Sequence, residues 1–254
     1  MAEGCLPQTI KHGLNCIVGA MRLARKQGYD CPDIQAPSIK ITNKMVRYLS
    51  VDEERRLLDQ LDPEREVNGL PPLASRLPDR HRWIQDSYDL VIMLLDTGAR
   101  YSEIANIQWK QIDLETRSIH LWRPKVANES IIFMTDRVAS IVERRLLTRN
   151  SEYLFSNKSG GPRGYSVIAI RKAMRRAGLN DCTVHTLRHT HATRLIQNGL
   201  SVYEVKAVLG HSDIRTTMRY AHLEQTDVTS KARDVINRLN QSGACEKDPS
   251  RIRL

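Results

Sequence analysis

Helical periodicity runs through most of this chain of 254 residues and is interrupted by one short alternating segment. Residues 8–28 repeat apolar side chains at spacings of three and four, and residues 83–96 form a strongly apolar stretch that stops before Gly98. Residues 117–123 and 129–134 alternate instead, which predicts two strands of a hairpin with its turn at residues 126–128. The pattern therefore predicts a mainly α protein with a small antiparallel β-sheet, an α+β fold.

Capping signals predict where several helices begin and end. Ser50 and Glu53 have the spacing of a capping box, as do Ser201 and Glu204. Gly98 follows the apolar stretch and can adopt the left-handed conformation that ends a helix. We expect residues 66–82, with their three prolines, to form a loop. Further helices are expected at residues 136–148, 165–177, 185–198, 201–209 and 213–222.

The chain has three predicted segments. Residues 1–47 hold one helix and a linker that carries two prolines within residues 30–44, which is too little for an independent domain. Residues 48–240 are expected to form one compact domain, and its last part, Val228–Leu239, places Val235, Ile236 and Leu239 on one helical face. Residues 241–254 are polar, and we expect a disordered tail there.

The charge of the chain favours a polyanionic partner. Lys and Arg number 39 against 29 Asp and Glu, which gives a formal net charge of +10. Basic side chains release condensed counterions when they bind nucleic acid, so nucleic acid is the commonest partner for such an excess. Charge alone also fits a basic protein without such a partner.

Cysteine usage and hydropathy indicate a cytoplasmic protein. The five cysteines are odd in number and scattered, with no Cys-x-x-Cys pair. They therefore predict reduced thiols rather than disulfides or a zinc site. No apolar stretch approaches membrane-spanning length, and no signal-peptide pattern opens the sequence. We expect the protein to work in the cytoplasm without membrane contact.

A cluster of basic and hydroxyl side chains between residues 185 and 220 suggests chemistry at a phosphate. His185 and Arg188 lie three apart at a helix start, so they share a face near its positive N-terminus. A guanidinium binds phosphate oxygens, an imidazole transfers protons, and the hydroxyl of Tyr220 can act as a covalent nucleophile. His211 can help to stabilise the phenolate, whereas His189 is interpreted as a packed or capping histidine.

Two upstream residues would supply what this cluster lacks. The pentacoordinate transition state gains negative charge, and the leaving 5′-oxygen needs a proton. Arg100 follows the turn after the apolar helix, and Lys125 lies at the mouth of the hairpin. The spacing of His185 and His189 also suggests a metal site, but Thr186 stands where a zinc hydrolase carries glutamate, so no metal is expected.

In these motifs the chain resembles the catalytic domain of the tyrosine recombinases, and within them the phage-type integrases. The resemblance covers roughly residues 49–240 in family order, and its motifs are Thr97–Ile104, Lys125, His185–Thr190, Leu209–Ser212 and Thr217–His222. It implies the tyrosine recombinase catalytic-domain fold. Family members of this type carry a complete helical core-binding domain before the catalytic domain. Residues 1–47 resemble the end of such a domain, so we expect a truncated or partial form.

The resemblance also implies how the phosphate is held and attacked. Tyr220 would attack the scissile phosphate and form a 3′-phosphotyrosine. Arg100 and Arg188 would bind the nonbridging oxygens, and Glu103 would orient Arg100 from one helical turn away.

Proton transfer is implied for the remaining matching residues. Lys125 would protonate the departing 5′-hydroxyl, with an exposed hairpin lysine as the alternative interpretation. His185 would act as acid or base near the phosphate, and His211 would hydrogen-bond it. Because the phosphotyrosine conserves the energy of the broken bond, neither ATP, a metal nor another cofactor is expected.

The expected partners follow from the same resemblance. Double-stranded DNA would be the substrate of a site-specific recombinase, bacterial or phage-encoded and associated with the nucleoid. A homotetramer would form on DNA through the C-terminal segment, with accessory DNA-bending proteins; the alternative is that this segment folds back on its own domain. Competing functions are a catalytically idle, truncated DNA-binding relic, relaxation of DNA as by a type IB topoisomerase, and a metal-dependent nuclease.

Overall fold

A computed structural model describes residues 6–40, 46–67, 70–123, 128–223 and 225–243 of the chain. It divides the chain into two compact units, Met1–Met45 and Val46–Leu254, where the expected boundary followed residue 47. In the first unit, helix α1 spans Pro7–Lys26 and buries none of its residues. Proline at its start has the fixed φ of a helix and no donor to lose, and the helix predicted at residues 8–28 is confirmed.

The second unit is mainly helical. Its helices are α2 (Val51–Asp59), α3 (Pro78–Thr97), α4 (Tyr101–Ala105), α5 (Asp136–Leu146), α6 (Ile168–Arg176), α7 (Val184–Gln197), α8 (Val202–Leu209) and α9 (Gln225–Gly243). Short 3-10 segments lie at Leu73–Ser75, Trp109–Gln111, Ile214–Thr216 and Met218–Leu223. One antiparallel sheet has the order β1 (Ile112–Asp113), β2 (Ser118–Arg123), β3 (Asn128–Phe133). The predicted fold class is confirmed.

Helix α3 is the centre of this unit. Its residues 89–95 are all buried, and the helix packs against α4, α5, α6 and α7. The side chains of Leu90, Val91 and Met93 are fully inaccessible, so α3 is buried on all sides over this stretch. α3 ends at Gly98, which has φ 60° and caps the helix in the left-handed conformation that the sequence predicted.

The apolar residues that the sheet buries lie on one face. Ile119 pairs with Ile132 across β2 and β3, and both are buried together with Leu121. Trp122 and Phe133 lie on the other face and are exposed. This alternation confirms the predicted hairpin. The sequence missed β1, which has only two residues, and it placed residue 128 in the turn, whereas β3 begins there. Residues 126 and 127 of the expected turn lie outside the described residues.

Two predicted helix starts and one predicted helix are wrong. α3 begins at Pro78 rather than residue 83, because proline is well suited to the first helical position, so the end of the expected loop 66–82 is helical. Residues 213–222 form two 3-10 segments separated at Thr217 instead of one helix. α6 begins at Ile168 rather than residue 165.

The end of the chain is helical further than the sequence suggested. α9 continues to Gly243, so residues 241–243 of the segment expected to be disordered belong to a helix. The rest of that segment lies outside the described residues. Among the helices that the structure describes, none is long and apolar enough to cross a membrane.

Gly98 offers a direct test of how tightly α3 packs on α7 and α8. A Cβ at this position would lie 2.4 Å from Cδ2 of His191 and 2.9 Å from Cδ2 of Leu209. The left-handed conformation costs alanine about 1–2 kcal/mol, and overpacking adds about 1–3 kcal/mol. We therefore expect Gly98→Ala to lower the free energy of unfolding by about 2–5 kcal/mol in urea denaturation.

Gly178→Ala is the matched control for this substitution. Gly178 has φ 77°, but no atom lies within 4 Å of a Cβ built there. The control should lose only the conformational cost of about 1–2 kcal/mol. Equal losses in the two variants would contradict the close packing at Gly98.

Candidate active site

The guanidinium of Arg188 is buried and links two helix ends. α7 carries it into the protein, where the residue is 3% exposed. Its Nη1 donates to the carbonyl of Gly98 at 2.6 Å, and its Nη2 donates to the carbonyl of Leu209 at 2.9 Å. Both carbonyls belong to C-terminal ends of helices, α3 and α8, where backbone oxygens lack helical partners and carry partial negative charge. The dipoles of these two backbone carbonyls thus hold the guanidinium of Arg188 in place.

Arg100 begins the short helix α4, directly after the turn at Gly98. Its backbone N–H donates to Oε2 of Glu103 at 2.8 Å, and its Nη1 donates to Oε1 of the same carboxylate at 2.8 Å. The Arg100 side chain remains 45% exposed, whereas Glu103 is 13% exposed. The carboxylate therefore holds Arg100 at both its main chain and its side chain.

Tyr220 is buried in a small hydrophobic cluster. It lies in the 3-10 segment Met218–Leu223, is 1% exposed, and packs with residues of α7 and α8 such as Ile196 and Leu209. Its hydroxyl lies 2.5 Å from Nδ1 of His189. The predicted nucleophile is thus covered by protein and hydrogen-bonded to a histidine.

His189 is packed, as the sequence suggested, and it also contacts the predicted nucleophile. Its ring packs against both Tyr220 and His185, with centroids 5.9 Å and 4.8 Å away. Position 189 does lie on a different side of α7 from position 188. The 3-10 segment reaches that side from a point 31 residues along the chain, a contact that helical spacing within α7 could not reveal.

The two histidines are neutral at physiological pH. Burial lowers the pKa of His189 to about 4, and the charges of His185, Arg219 and Arg188 act in the same direction. Partial desolvation also lowers the pKa of His185, reinforced by Arg188, Arg219 and Arg100. A neutral imidazole with an unprotonated Nδ1 can accept the hydroxyl proton of Tyr220.

Arg219, to which the sequence assigned no role, contributes positive charge to the site. Its guanidinium acts on Tyr220 as well as on both histidines. Burial raises the pKa of Tyr220, while the positive charges of Arg219 and Arg188 oppose that rise. The hydroxyl is a neutral phenol in this arrangement, since desolvation of phenolate outweighs the attraction of the two arginines.

His211 is connected to the segment that carries Tyr220. Its Nδ1 lies 2.8 Å from Oγ1 of Thr217, a fully buried residue. The carbonyl of Thr217 in turn accepts the backbone N–H of Tyr220 at 3.0 Å. His211 therefore joins the end of α8 to the turn before the tyrosine.

The structure thus brings most of the predicted site together. Arg188, His185 and Tyr220 meet around α7, with Arg100 and His211 at the adjoining helix ends. Lys125 lies outside the described residues, so its place in the site stays a prediction. Within the described ranges, no group of three or more His, Cys, Asp or Glu side chains is arranged to hold a metal ion.

Comparisons with known proteins identify the family of this chain. A model of the phage integrase family matches residues 49–227. The integrase of Salmonella phage P22 is 28% identical over 218 residues, which cover 79% of this chain and 51% of that protein. The tyrosine recombinase XerC of Staphylococcus epidermidis is 31% identical over 192 residues, covering 72% of this chain and 63% of the relative. This chain therefore spans about half to two thirds of the length of these relatives.

A solved structure supports the same assignment at the level of the fold. The XerH site-specific recombinase bound to its difH substrate superposes with a TM-score of 0.67 at 20% identity, over 91% of this chain and 66% of that one. This similarity shows a shared fold. Together with the family match over residues 49–227, it means that the chain belongs to the phage integrase family of tyrosine recombinases.

Proposed function

We propose that the chain carries the catalytic part of a site-specific recombinase that cleaves and rejoins double-stranded DNA through a 3′-phosphotyrosine. The observation that carries this proposal is the hydroxyl of Tyr220, hydrogen-bonded to His189 at 2.5 Å within the field of Arg188 and Arg219. P22 integrase, XerC and XerH are named as an integrase and recombinases. Residues 1–47 would be the last part of a core-binding domain.

Arg188 and Arg100 would both bind the scissile phosphate, and different contacts hold each of them in place. Arg188 is fixed by two carbonyls, so its guanidinium would meet a nonbridging oxygen without large movement. Arg100 is more exposed and follows Gly98 by two residues, which brings its guanidinium to the same edge of the domain. Two guanidinium groups would offset the negative charge of the transition state.

The chemical step exchanges one phosphodiester for another. The oxygen of Tyr220 would attack phosphorus, the bond from phosphorus to the 5′-oxygen would break, and the released oxygen would take a proton from Lys125. His185 would act as the base that takes the hydroxyl proton of Tyr220 during attack and would return it during rejoining, and His211 would hydrogen-bond the phosphate. Rejoining reverses these steps, so the reaction needs neither ATP nor another energy source.

His189 would restrain Tyr220 rather than activate it in this conformation. Its pKa of about 4 lies at least about six units below that of a phenol. Moving the proton from Tyr220 to His189 is therefore unfavourable. The observed pair is a resting state, and phenolate formation would have to await the phosphate and its arginines.

Attack also requires movement of the tyrosine. A hydroxyl on a side chain that is 1% exposed cannot meet a phosphate of double-stranded DNA. Tyr220 lies on a six-residue 3-10 segment, a helix type with weaker hydrogen-bond geometry than an α-helix. Outward displacement of Met218–Leu223 would bring the hydroxyl toward Arg188 and Arg100.

The last helix would join subunits on DNA. Val235, Ile236 and Leu239 of α9 are 48%, 55% and 63% exposed. An apolar face left open in one chain supports docking on a neighbouring subunit over folding back on the same domain. We therefore retain the proposal of a homotetramer on DNA.

The covalent intermediate is the most direct test. Incubation with a nicked suicide DNA substrate in EDTA should give a protein–DNA adduct on a denaturing gel. Tyr220→Phe should abolish the adduct, because phenylalanine lacks the attacking oxygen, and Tyr203→Phe, an exposed tyrosine on α8, should retain it.

Other outcomes favour the competing functions. DNA binding without any adduct on candidate sites would indicate an idle DNA-binding relic. An adduct with relaxation of plasmids but no exchange between paired sites would indicate topoisomerase-like activity. A strict need for a divalent metal would refute the phosphotyrosine mechanism.

Glu103→Gln should slow formation of the adduct about tenfold, which corresponds to an activation barrier that is higher by about 1.4 kcal/mol. Glutamine can still accept the backbone N–H of Arg100 but cannot neutralise and fix its guanidinium. Rates should be compared in single turnover with Glu143→Gln, which removes an exposed charge from α5. An unchanged rate in Glu103→Gln would show that Arg100 does not depend on this ion pair.

The pKa of His189 predicts a pH dependence of stability. The folded-state pKa of about 4 lies below the unfolded value near 6.5, so the unfolded chain binds more protons in that window. Stability should fall as the pH falls from 6.5 to 4. Between pH 7 and 4.5, the unfolding free energy in urea should drop about 2 kcal/mol more for the wild type than for His189→Gln. Equal drops would contradict a buried neutral His189.

A further inference from the structure

An arginine-lined cavity lies beside the N-terminal half of α3. Its volume is about 610 Å³, and α5 and residues 148–156 form its other walls. Five arginines line it, namely Arg76, Arg82, Arg144, Arg145 and Arg149. Against these stand the carboxylates of Asp86 and Asp89. The lining therefore carries an excess of three positive charges.

The cavity is separate from the candidate active site. Asp86 and Asp89 precede Gly98 by 12 and nine residues on the same helix. At the rise of an α-helix, they lie about 18 and 14 Å from that residue along the axis. Arg188, which bonds the carbonyl of Gly98, does not line the cavity.

The two carboxylates are buried at the cavity, and arginines already neutralise their charges. Asp86 is 2% exposed and binds Arg145 at 2.8 Å and Arg163 at 3.0 Å. Asp89 is fully buried and binds Arg145 at 2.7 Å and Arg144 at 2.6 Å. Burial of these pairs fixes the guanidinium of Arg145 in place, since separating them would leave an unpaired buried charge.

Arg76 adds a cation that no carboxylate of the described residues neutralises. The residue is 9% exposed. Its Nε donates to the carbonyl of Pro71 at 3.0 Å, and its two terminal nitrogens donate to the carbonyls of Pro63 and Arg65. Carbonyls fix the guanidinium but leave its charge in place.

Arg82 and Arg149 extend this positive wall. Nε of Arg82 is buried and has no hydrogen-bond partner within the part of the chain that the structure describes. Arg149 is exposed and holds its guanidinium 5.4 Å from the ring centre of Trp109. The positive charges of these two guanidinium groups at the cavity favour a ligand with acceptor oxygens.

We propose that this cavity is a second anion site, which takes a small phosphorylated molecule. Guanidinium groups bind phosphate through paired, charge-assisted hydrogen bonds, and three unneutralised charges match a multivalent phosphate. The volume lies in the range of small-molecule sites, about 300–1,000 Å³, which favours a free phosphorylated molecule over a DNA backbone. The proposal does not depend on the recombinase reaction.

Calorimetric titration of the full chain with pyrophosphate at constant ionic strength tests the site. The double variant Arg82→Gln/Arg149→Gln should bind pyrophosphate at least about tenfold more weakly, because two charged donors are lost. Arg171→Gln/Lys172→Gln, which removes two exposed charges from α6, should bind as the wild type does. Arg100→Gln should also leave this binding unchanged.

Several results would overturn the proposal. They are absence of pyrophosphate binding in the wild type, unchanged binding in the cavity variant, and loss of binding in Arg100→Gln alone. Because Arg149 is exposed, the single variant Arg149→Gln keeps the test valid if the double variant unfolds; it should weaken binding at least about threefold.

A duplex of about 20 base pairs distinguishes the source of the phosphate. If the cavity takes a small molecule, the cavity variant should bind this DNA as the wild type does, with the same dependence on salt. The opposite result is that the cavity variant binds DNA with a weaker salt dependence, by about one unit in the slope of log affinity against log salt concentration per lost contact. Together with unchanged pyrophosphate binding, this result would assign these arginines to DNA and refute the small-molecule site.

Discussion

The buried guanidinium of Arg188 holds this domain together at its candidate site. It joins the carbonyl that ends α3 to the carbonyl that ends α8, while its own helix, α7, packs against both. Removing it would leave two buried helix ends without a donor, a loss typically of several kcal/mol. The residue predicted to bind phosphate is therefore also a structural residue, and the geometry of the site is set by where two helices stop.

The close packing around this contact explains why a turn, and not a strand or a long loop, presents Arg100. Gly98 allows α3 to end against the ring of His191 and the side chain of Leu209. A Cβ at residue 98 would lie too close to both side chains. The chain then starts α4 at once, and Glu103 binds Arg100 from within that helix. The positions of Arg100 and Arg188 consequently both depend on the backbone at Gly98.

Local signals in the sequence predicted the parts of the structure that depend on neighbours along the chain. The capping boxes of α2 and α8 are formed by Ser50 with Glu53 and by Ser201 with Glu204, and the hairpin pairs as expected. Contacts between distant residues were not predictable. The bond between His189 and Tyr220 joins positions 31 residues apart, and burial of the tyrosine depends on α7 and α8 packing together. Lys125 and the domain roles stay predictions, since they rest on family resemblance alone.

Two arginine sites in this domain differ in what holds their guanidinium groups. Arg145 is fixed by the carboxylates of Asp86 and Asp89, which cancel its charge, so it contributes stability and little attraction for an anion. Arg188 is fixed by helix-end carbonyls, whose partial charges orient its guanidinium. Burial lowers the pKa of His185 and His189, and the positive charge of Arg188 acts in the same direction. An anion entering there would offset this positive charge, so binding of phosphate and proton uptake by these histidines should be coupled.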